Sequence, residues 1–372
     1  MRTGGLFTRR IIYLTLLLSA FSAVVSAEPE ESQPVKIGMI FPLTGPMSSF
    51  GEDIAKALPL LEKRFNSEQS KYKFILLLED GKFGQTNAAI TAAKKLVEVE
   101  GVRFLVVGSS GEILQIAPYA ESAHVLSVTG FSSHPGVKNA GDYIFRTYID
   151  ADRGIELVAA DLSKRNINRI AVISEESSFT SAIDKSLRNR IGDKLVLAEN
   201  YIPGDADFKT VIAKARSKNP SAYYLNTAAP ASFITLVRQL RGSGVKEIIY
   251  TYYVPSLKEV QDSLGPLLDG VVYLDFPDTP DSSDDFRNFL VEFEKANGSG
   301  IKAPFNFRTN YNAVRVIVDA VIAVGPDSGK AKDFLYSYDR PGAAGRLRFD
   351  SNGDALDLNL VLKTYGSKPR PN

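Results

Sequence analysis

The residues best suited to do chemistry in this sequence are paired hydroxyls, and the chemistry is the binding of a carboxylate. Ser109 and Ser110 lie in the segment Val107–Gly111, where an apolar run ends and a helical pattern begins. Serine often caps such a helix end, and the hydroxyls and free N–H groups there also form a ready anion site. Ser109, Ser110 and Gly111 therefore either cap a helix only or also hold a ligand carboxylate.

A second pair of hydroxyls, Ser132 and Ser133, follows the next apolar run, within the segment Thr129–Pro135. Taken alone, this segment has the composition of an ordinary turn. Because two separate strand ends both offer paired hydroxyls, we expect both of them to contribute to one binding site.

Aromatic side chains recur at the same kind of position. Any one of them is more often a core residue than a ligand contact. As a group at strand ends, they predict a cleft that holds a flat or apolar ligand body by stacking and burial. These residues are Phe50, Phe131, Phe179, Tyr252 and Tyr253.

The sequence contains no pattern typical of catalysis, of a metal site or of a cofactor site. It has 0 Cys, and its only two histidines, His124 and His134, are too isolated to form a metal site. Phosphate-loop and dinucleotide motifs are also missing. With 44 Lys and Arg against 43 Asp and Glu, the chain lacks the charge excess of a nucleic-acid-binding protein. We therefore expect a binding protein without cofactor or metal, and not an enzyme.

The N-terminus has the three parts of a secretory signal peptide over residues 1–27. Arg9 and Arg10 precede an apolar run, Ile11–Val25, which ends in small residues before Glu28. The alternative is a membrane anchor, but the run is shorter than the roughly 20 residues that a bilayer requires. We expect cleavage after Ala27 and, since no cysteine is available for lipid attachment, a freely diffusing protein. An unanchored binding protein is useful only where an outer barrier retains it, which indicates the periplasm. We also expect it to be a monomer.

Downstream, short apolar runs alternate with helical patterns, which is typical of an α/β fold with parallel sheets. Val35–Phe41 is predicted as the first buried strand, and Val125–Val128 completes a first parallel set. A second series begins after Thr147. Pro59 predicts a kink or a late start in the helix Ser49–Phe65. Roughly 345 residues remain after cleavage, so we expect two domains.

Short motifs follow one another in a fixed order along nearly the whole chain after residue 34. They are Val35–Gly38, Pro42–Pro46, Phe50–Gly51, Glu79–Asp80, Ala88–Leu96, Gly108–Ser110, Ala117–Pro118, Phe145–Thr147, Asp207–Phe208 and Gly345–Asp354. In this order and spacing they resemble the type I periplasmic solute-binding proteins of ABC transporters, in particular the leucine/isoleucine/valine-binding family. That resemblance implies two flavodoxin-like lobes, each Rossmann-like, which three crossovers join around a ligand cleft.

The resemblance implies crossovers near Thr147–Asp150, Leu274–Pro277 and Phe349–Asn352. It assigns residues 35–148 and 275–348 to the N-terminal lobe and residues 149–274 and 349–366 to the C-terminal lobe. The short polar end of the chain, 367–372, is expected to be a disordered tail.

The resemblance also implies roles for the site residues. The segment Ser109–Gly111 would bind a ligand carboxylate, which Ser132 and Ser133 would complete. Phe179 matches the position of a tyrosine that caps the ligand in the branched-chain proteins. Tyr253 matches, within a residue or two, the glutamate that pairs with the ligand ammonium.

The missing glutamate leaves two alternatives, because an unpaired buried ammonium costs several kcal/mol. Either Glu112, Glu175 or Glu176 replaces it, or the ligand has no ammonium. The resemblance implies the substrate-binding component of an importer, which captures an amino acid or a small carboxylate by hinge closure and delivers it to an inner-membrane permease. A sensor that presents its ligand to a membrane receptor is the alternative.

Overall fold

The structure is a computed structural model that describes Met1 and residues 32–85, 87–277 and 283–366. The expected signal peptide, apart from Met1, and the expected tail over 367–372 lie outside the described residues. Within these ranges, no helix is long and apolar enough to cross a membrane.

Five parallel strands form the first sheet, in the spatial order β2-β1-β3-β4-β5. The short central strands are entirely buried and entirely apolar or hydroxylated, as expected where helices cover both faces of a parallel sheet. The strands are β1 (Gln33–Phe41), β2 (Tyr72–Asp80), β3 (Phe104–Val107), β4 (Leu126–Thr129) and β5 (Ile144–Arg146).

The second sheet repeats this order and adds one antiparallel edge strand, so that the strands run β13-β10-β9-β8-β6-β7. A separate hairpin, formed by β11 and β12, lies between the last helix and β13. The strands are β6 (Ile170–Glu175), β7 (Leu195–Tyr201), β8 (Ala222–Asn226), β9 (Ile248–Thr251), β10 (Val272–Asp275), β11 (Asp339–Gly342), β12 (Gly345–Arg348) and β13 (Val361–Thr364).

Helices connect the strands and cover both sheets. Helix α2 continues as one π-helical turn over Lys95–Val99. The helices are α1 (Ser48–Ser67), α2 (Ala88–Lys94), α3 (Ser110–Ser122), α4 (Ala151–Lys164), α5 (Ser178–Ile191), α6 (Lys209–Ser217), α7 (Pro230–Gly242), α8 (Lys258–Leu264), α9 (Asp284–Asn297), α10 (Pro304–Val324) and α11 (Ser328–Leu335).

The last three helices return to the first sheet. Helix α10 packs on β3, β4 and α1, α9 packs on α1, and α11 packs on β4. The chain therefore builds the first lobe from its beginning and from this late segment. The expectation of two α/β lobes is confirmed.

Three details of the structure differ from the sequence-based prediction. The apolar spacing predicts a helix only over Tyr311 to Val324, but helix α10 begins seven residues earlier, at Pro304, because proline fits the first helical position, where no N–H is needed. Strand β5 is not among the predicted strands. The late start that Pro59 allows does not occur, since α1 begins at Ser48 and continues past this proline.

Candidate functional site

The order β2-β1-β3-β4-β5 places a topological switch point between β1 and β3, and the matching order in the second sheet places one between β6 and β8. In open parallel sheets, ligands bind beyond the carboxyl ends of the strands at such points. The segments that leave β3 and β4 in the first lobe carry the predicted hydroxyls. The segments that leave β6 and β9 in the second lobe carry Phe179 and Tyr253.

The first hydroxyl segment forms the beginning of α3. Ser109 is the N-cap, and its Oγ accepts a long hydrogen bond of 3.4 Å from the backbone N–H of Glu112. Ser110 is the first residue of the helix and is buried. Gly111 faces the other lobe, since a Cβ built on it would lie 3.8 Å from Oγ of Ser178. Capping therefore occupies Ser109 and leaves the beginning of the helix next to the second lobe.

The second hydroxyl segment meets the first. Oγ of Ser132 donates a hydrogen bond of 3.0 Å to Oγ of Ser110, and both side chains are buried. The hydroxyl of Ser133 is fully buried and has no hydrogen-bond partner among the residues described. Its carbonyl accepts from the N–H of Ala151, the first residue of α4. An unpaired buried hydroxyl costs about 1–3 kcal/mol, which a ligand oxygen can offset.

The predicted aromatic residues meet in one cluster centred on Phe131. Its ring stacks on Phe179 at 5.0 Å, meets Tyr253 edge-on at 5.1 Å and contacts Phe50 at 5.9 Å between centroids. Phe50 and Phe131 follow strands of the first sheet, whereas Phe179 and Tyr253 follow strands of the second. The aromatic cluster, defined by these four rings, therefore joins the two lobes.

Tyr252 lies behind the aromatic cluster. Its ring meets Phe179 edge-on at 5.8 Å, and its hydroxyl packs so closely on α4 that a Cβ on Gly154 would lie 2.5 Å from it. Burial raises the pKa of Tyr252 above its ordinary value. The side chain thus supports the cluster from the second lobe.

Two further aromatic residues contact the cluster and were missed at the sequence level. Phe305 stacks on Tyr253 at 5.4 Å with an angle of 14° between the rings, and Tyr148 meets Phe131 at 5.3 Å. The position of Phe305, directly after the proline that begins a long helix, was the signal that could have identified it. Tyr148 directly follows the Phe145–Thr147 motif, which contributes only to the family resemblance and indicates no ligand contact.

Glu175 is the buried acid of the second lobe. One of its carboxylate oxygens accepts from the N–H groups of Ala228 and Ala229 and from the hydroxyl of Tyr201, each at 3.2 Å. Burial raises the pKa of Glu175, although these donors partly offset the effect. These hydrogen bonds are made within its own lobe, and the other carboxylate oxygen, Oε1, is buried without a partner among the described residues.

Glu112 and Glu176 differ in environment. Glu112 is 3% exposed, and its carboxylate lies so close to Gly81, after β2, that a Cβ there would clash with it. Burial raises the pKa of Glu112 to about 8, and the nearby Asp80 adds to the rise, while the Ser109 hydroxyl lowers it by less. Glu176 is exposed.

Neither histidine lies in a metal site. Nδ1 of His134 accepts from the N–H of Gly136 at 3.0 Å and so caps the short turn that follows. His124 contacts the ring of Tyr143 at 5.2 Å. Across the described ranges, no group of three or more His, Cys, Asp or Glu residues could hold a metal ion.

A polar cavity of about 350 Å³ lies between β6, β7 and α5, and none of the four predicted serines lines it. Its lining includes Ser174, Asp184 and Arg188. Asp184 already accepts from Ser174 at 2.9 Å and pairs with Arg188 at 2.5 Å. Because these groups satisfy each other, the serine pairs and the aromatic cluster are the better candidate for the ligand site.

A family model described as "Periplasmic binding protein" matches residues 34–359. An "Amino acid binding protein" of Pseudomonas aeruginosa is 23% identical over an alignment of 377 positions, which covers 97% of this chain and 98% of that protein.

Among solved structures, LivJ from Streptococcus pneumoniae, a branched-chain amino acid transporter substrate-binding protein in complex with isoleucine, has a TM-score of 0.80 at 20% identity. It covers 89% of this chain and 96% of its own. A solute-binding protein of an ABC transporter from Rhodopseudomonas palustris, in complex with 3,4-dihydroxybenzoic acid, has a TM-score of 0.78 at 17% identity. It covers 89% of this chain and 93% of its own.

The family model covers nearly the whole of both lobes, and the same two-lobed fold recurs in these structures. Proteins of this family bind solutes and are not enzymes. The chain belongs to the type I periplasmic binding proteins, in their leucine/isoleucine/valine-binding family.

Proposed function

We propose that this protein is the periplasmic substrate-binding component of an ABC importer and that it captures a small carboxylate by closing its two lobes. The observation that carries the proposal is the unpaired, fully buried hydroxyl of Ser133 beside the Ser110–Ser132 pair. These hydroxyls and the beginning of α3 provide donors for a carboxylate. The aromatic cluster beside them provides an apolar surface for the rest of the ligand.

The ligand is an amino acid or an aromatic carboxylate. Structural relatives bind isoleucine and 3,4-dihydroxybenzoic acid, so the fold accommodates both classes. Tyr253 stands in place of an acidic ammonium partner, and this favours a carboxylate without an ammonium group. Among the described residues, Oε1 of Glu175 is buried without a hydrogen-bond partner, so Glu175 is the acid that an amino acid ligand would use.

The remaining parts of the proposal follow from the expected architecture. The lobes consist of residues 35–148 with 275–348 and of residues 149–274 with 349–366, and they rotate about the three crossovers. The signal peptide 1–27 directs the chain to the periplasm, where it acts as a monomer. Its partner is an inner-membrane permease.

A thermal-shift screen tests the proposal, because a ligand that binds only the folded state raises the unfolding temperature. The screen contains amino acids, aromatic acids, their neutral amides and short fatty acids. We expect carboxylates to stabilise the protein and the matching amides to have little effect. Among carboxylates, phenylpropionate should bind at least about tenfold more tightly than phenylalanine, a difference of about 1.4 kcal/mol. Stabilisation by neutral solutes alone would contradict the carboxylate site.

A further inference from the structure

A buried amide on helix α10 lies at the aromatic cluster without a hydrogen-bond partner. Asn306 is 2% exposed, and neither its Oδ1 nor its Nδ2 is paired with any group in the described part of the chain. Its backbone carbonyl is satisfied, since it accepts from Nδ2 of Asn310 at 2.9 Å. Leaving such a side chain unpaired costs about 1–3 kcal/mol, and a ligand group that forms hydrogen bonds with the amide would offset this cost.

The neighbours of Asn306 place it at the contact between the lobes. The adjacent residue, Phe305, stacks on Tyr253 of the second lobe. Burial raises the pKa of Tyr253 well above its ordinary value, and the nearby Asn306 amide opposes this rise. The Tyr253 hydroxyl donates its proton to the carbonyl of Ala228 at 3.0 Å and so does not donate to Oδ1 of Asn306. Both polar atoms of the amide remain without a hydrogen-bond partner among the described residues.

The same face of α10 adjoins the second hydroxyl segment. Asn310 lies one helical turn after Asn306 and packs so closely on Gly130 that a Cβ there would clash with it. Residues four apart on a helix are about 5–6 Å apart at Cβ. The Asn306 amide is therefore about one helical turn from the loop that carries Ser132 and Ser133. An atom on the carbon next to a bound carboxylate lies within this distance.

The unpaired polar groups that α10 and the segment from the end of β4 present here are neutral. They include the amide of Asn306 and the hydroxyls of Thr129 and Ser133, whereas the unpaired acidic oxygen near Tyr253 is Oε1 of Glu175 in the second lobe. An amide both donates and accepts hydrogen bonds, so it matches a hydroxyl or a carbonyl oxygen. It cannot compensate the charge of a buried ammonium, which requires a carboxylate partner.

We propose that Asn306 is a specificity-determining residue, which selects carboxylic acids with a neutral oxygen next to the carboxyl group. Such ligands are 2-hydroxy and 2-oxo acids, whereas the amide supplies no charge to pair with the ammonium of the corresponding amino acids. The inference rests on the proposed function, because it assumes that the serine pairs hold the carboxylate. It adds to the proposed function the chemical identity of the substituent on the carbon next to the carboxyl group.

Titration calorimetry with four acids that differ only at the second carbon tests the inference. The acids are 3-phenylpropionate, 3-phenyllactate, phenylpyruvate and phenylalanine. We expect phenyllactate or phenylpyruvate to bind at least about tenfold more tightly than phenylpropionate, and phenylalanine to bind most weakly. A fifth acid, 3-(4-hydroxyphenyl)propionate, carries its oxygen at the far end of the ring and should gain no such advantage.

Substitution of Asn306 tests whether its amide causes the preference for oxygenated acids. In Asn306→Leu, the advantage of the oxygenated acids should fall below about threefold, while phenylpropionate keeps its affinity. Asn306→Asp should improve the binding of phenylalanine relative to phenyllactate. Asn312→Leu is the matched control, because Asn312 is a buried amide on the same helix that accepts from Ala343 at 2.7 Å. This control should keep the parental order of ligands.

The outcomes separate the two proposals. If none of the acids binds, both the carboxylate site and the role of Asn306 are wrong. If the acids bind but Asn306→Leu retains the preference, or if the ring hydroxyl gives the larger gain, the carboxylate site stands and the role of Asn306 is wrong. Asn306→Ser, which is smaller and polar, serves as a second variant if circular dichroism shows that the leucine variant does not fold.

Discussion

The guanidinium of Arg146 and the carboxylate of Asp354 form a buried two-point ion pair, with Nε–Oδ1 and Nη2–Oδ2 distances of 2.8 and 2.5 Å. Arg146 ends β5, and Asp354 follows β12. The remaining nitrogen, Nη1, donates to the carbonyls of Ser132 and His134 at 3.2 and 3.1 Å. One side chain therefore fixes the second hydroxyl segment to a stretch of chain that lies more than two hundred residues later.

The ion pair predicts a large loss of stability in Asp354→Asn. The substitution leaves the Arg146 charge buried without its partner, and breaking a buried pair in this way costs about 3–5 kcal/mol. Urea unfolding followed by circular dichroism measures the difference. Asp262→Asn is the control, because the Lys258–Asp262 pair is 64% and 62% exposed at its side chains and should contribute no more than about 0.5 kcal/mol. Equal losses in the two variants would contradict a structural role for the buried pair.

Ser133→Ala should weaken ligand binding without lowering stability. The hydroxyl has no partner within the described structure, so its removal takes away no intramolecular hydrogen bond. Binding should weaken by about 1–3 kcal/mol if the hydroxyl meets a carboxylate. Calorimetry with the best acid from the screen, together with urea unfolding, measures both quantities.

The control for this prediction is Asp327→Ala. Asp327 caps helix α11 through a hydrogen bond of 2.9 Å to the N–H of Lys330, so its loss should cost about 1 kcal/mol of stability and leave binding unchanged. A Ser133→Ala protein with parental affinity would mean that the site was placed incorrectly.

Glu112→Gln should change how stability depends on pH. Burial raises the pKa of Glu112 in the folded protein to about 8, from an ordinary value of 4.5. Between these values the folded state binds more protons than the unfolded state, so the free energy of unfolding falls as pH rises. Glutamine removes this dependence, and at pH 9 the variant should be more stable than the parent by a few kcal/mol.

Urea unfolding at pH 5, 7 and 9 provides the measurement. Glu176→Gln, on an exposed side chain of the other lobe, should follow the parental curve. Parallel curves for the parent and Glu112→Gln would show that the carboxyl group is not buried in the folded protein.

Ligand binding should make the protein more compact. If the site lies between lobes that a few crossover residues connect, binding closes the cleft by rotation of two rigid lobes. Small-angle scattering should then show a smaller radius of gyration in the presence of a saturating acid. The neutral amide of the same acid is the control and should leave the profile unchanged. An unchanged profile with the acid would refute hinge closure.

Much of the fold could be predicted because it depends on local patterns. Apolar runs such as Phe104–Val107 are buried strands in any parallel sheet, and their alternation with helices leads to two lobes. Strand β5 could not be predicted in this way. It has three residues, one of which is Arg146, and the burial of that arginine depends on Asp354, 208 residues away in the chain.

The candidate site was predictable to a similar extent. Serines after strands and aromatic residues at strand ends have recognisable patterns, and the structure brings Ser110 to Ser132 and Phe131 to Phe179 and Tyr253. Asn306 was missed because an asparagine near a helix beginning is usually exposed. Only the packing of α10 against both lobes buries it.

The close approach of Gly111 to Ser178 has an electrostatic consequence. Helices α3 and α5 begin at this contact, and each beginning carries a partial positive charge of about half an elementary unit. Two like poles therefore meet across the cleft, and their repulsion weakens the contact between the lobes. A carboxylate held at the beginning of α3 would replace this repulsion with attraction, so the charge of the ligand would stabilise the closed arrangement. A neutral molecule of the same shape would add no such attraction.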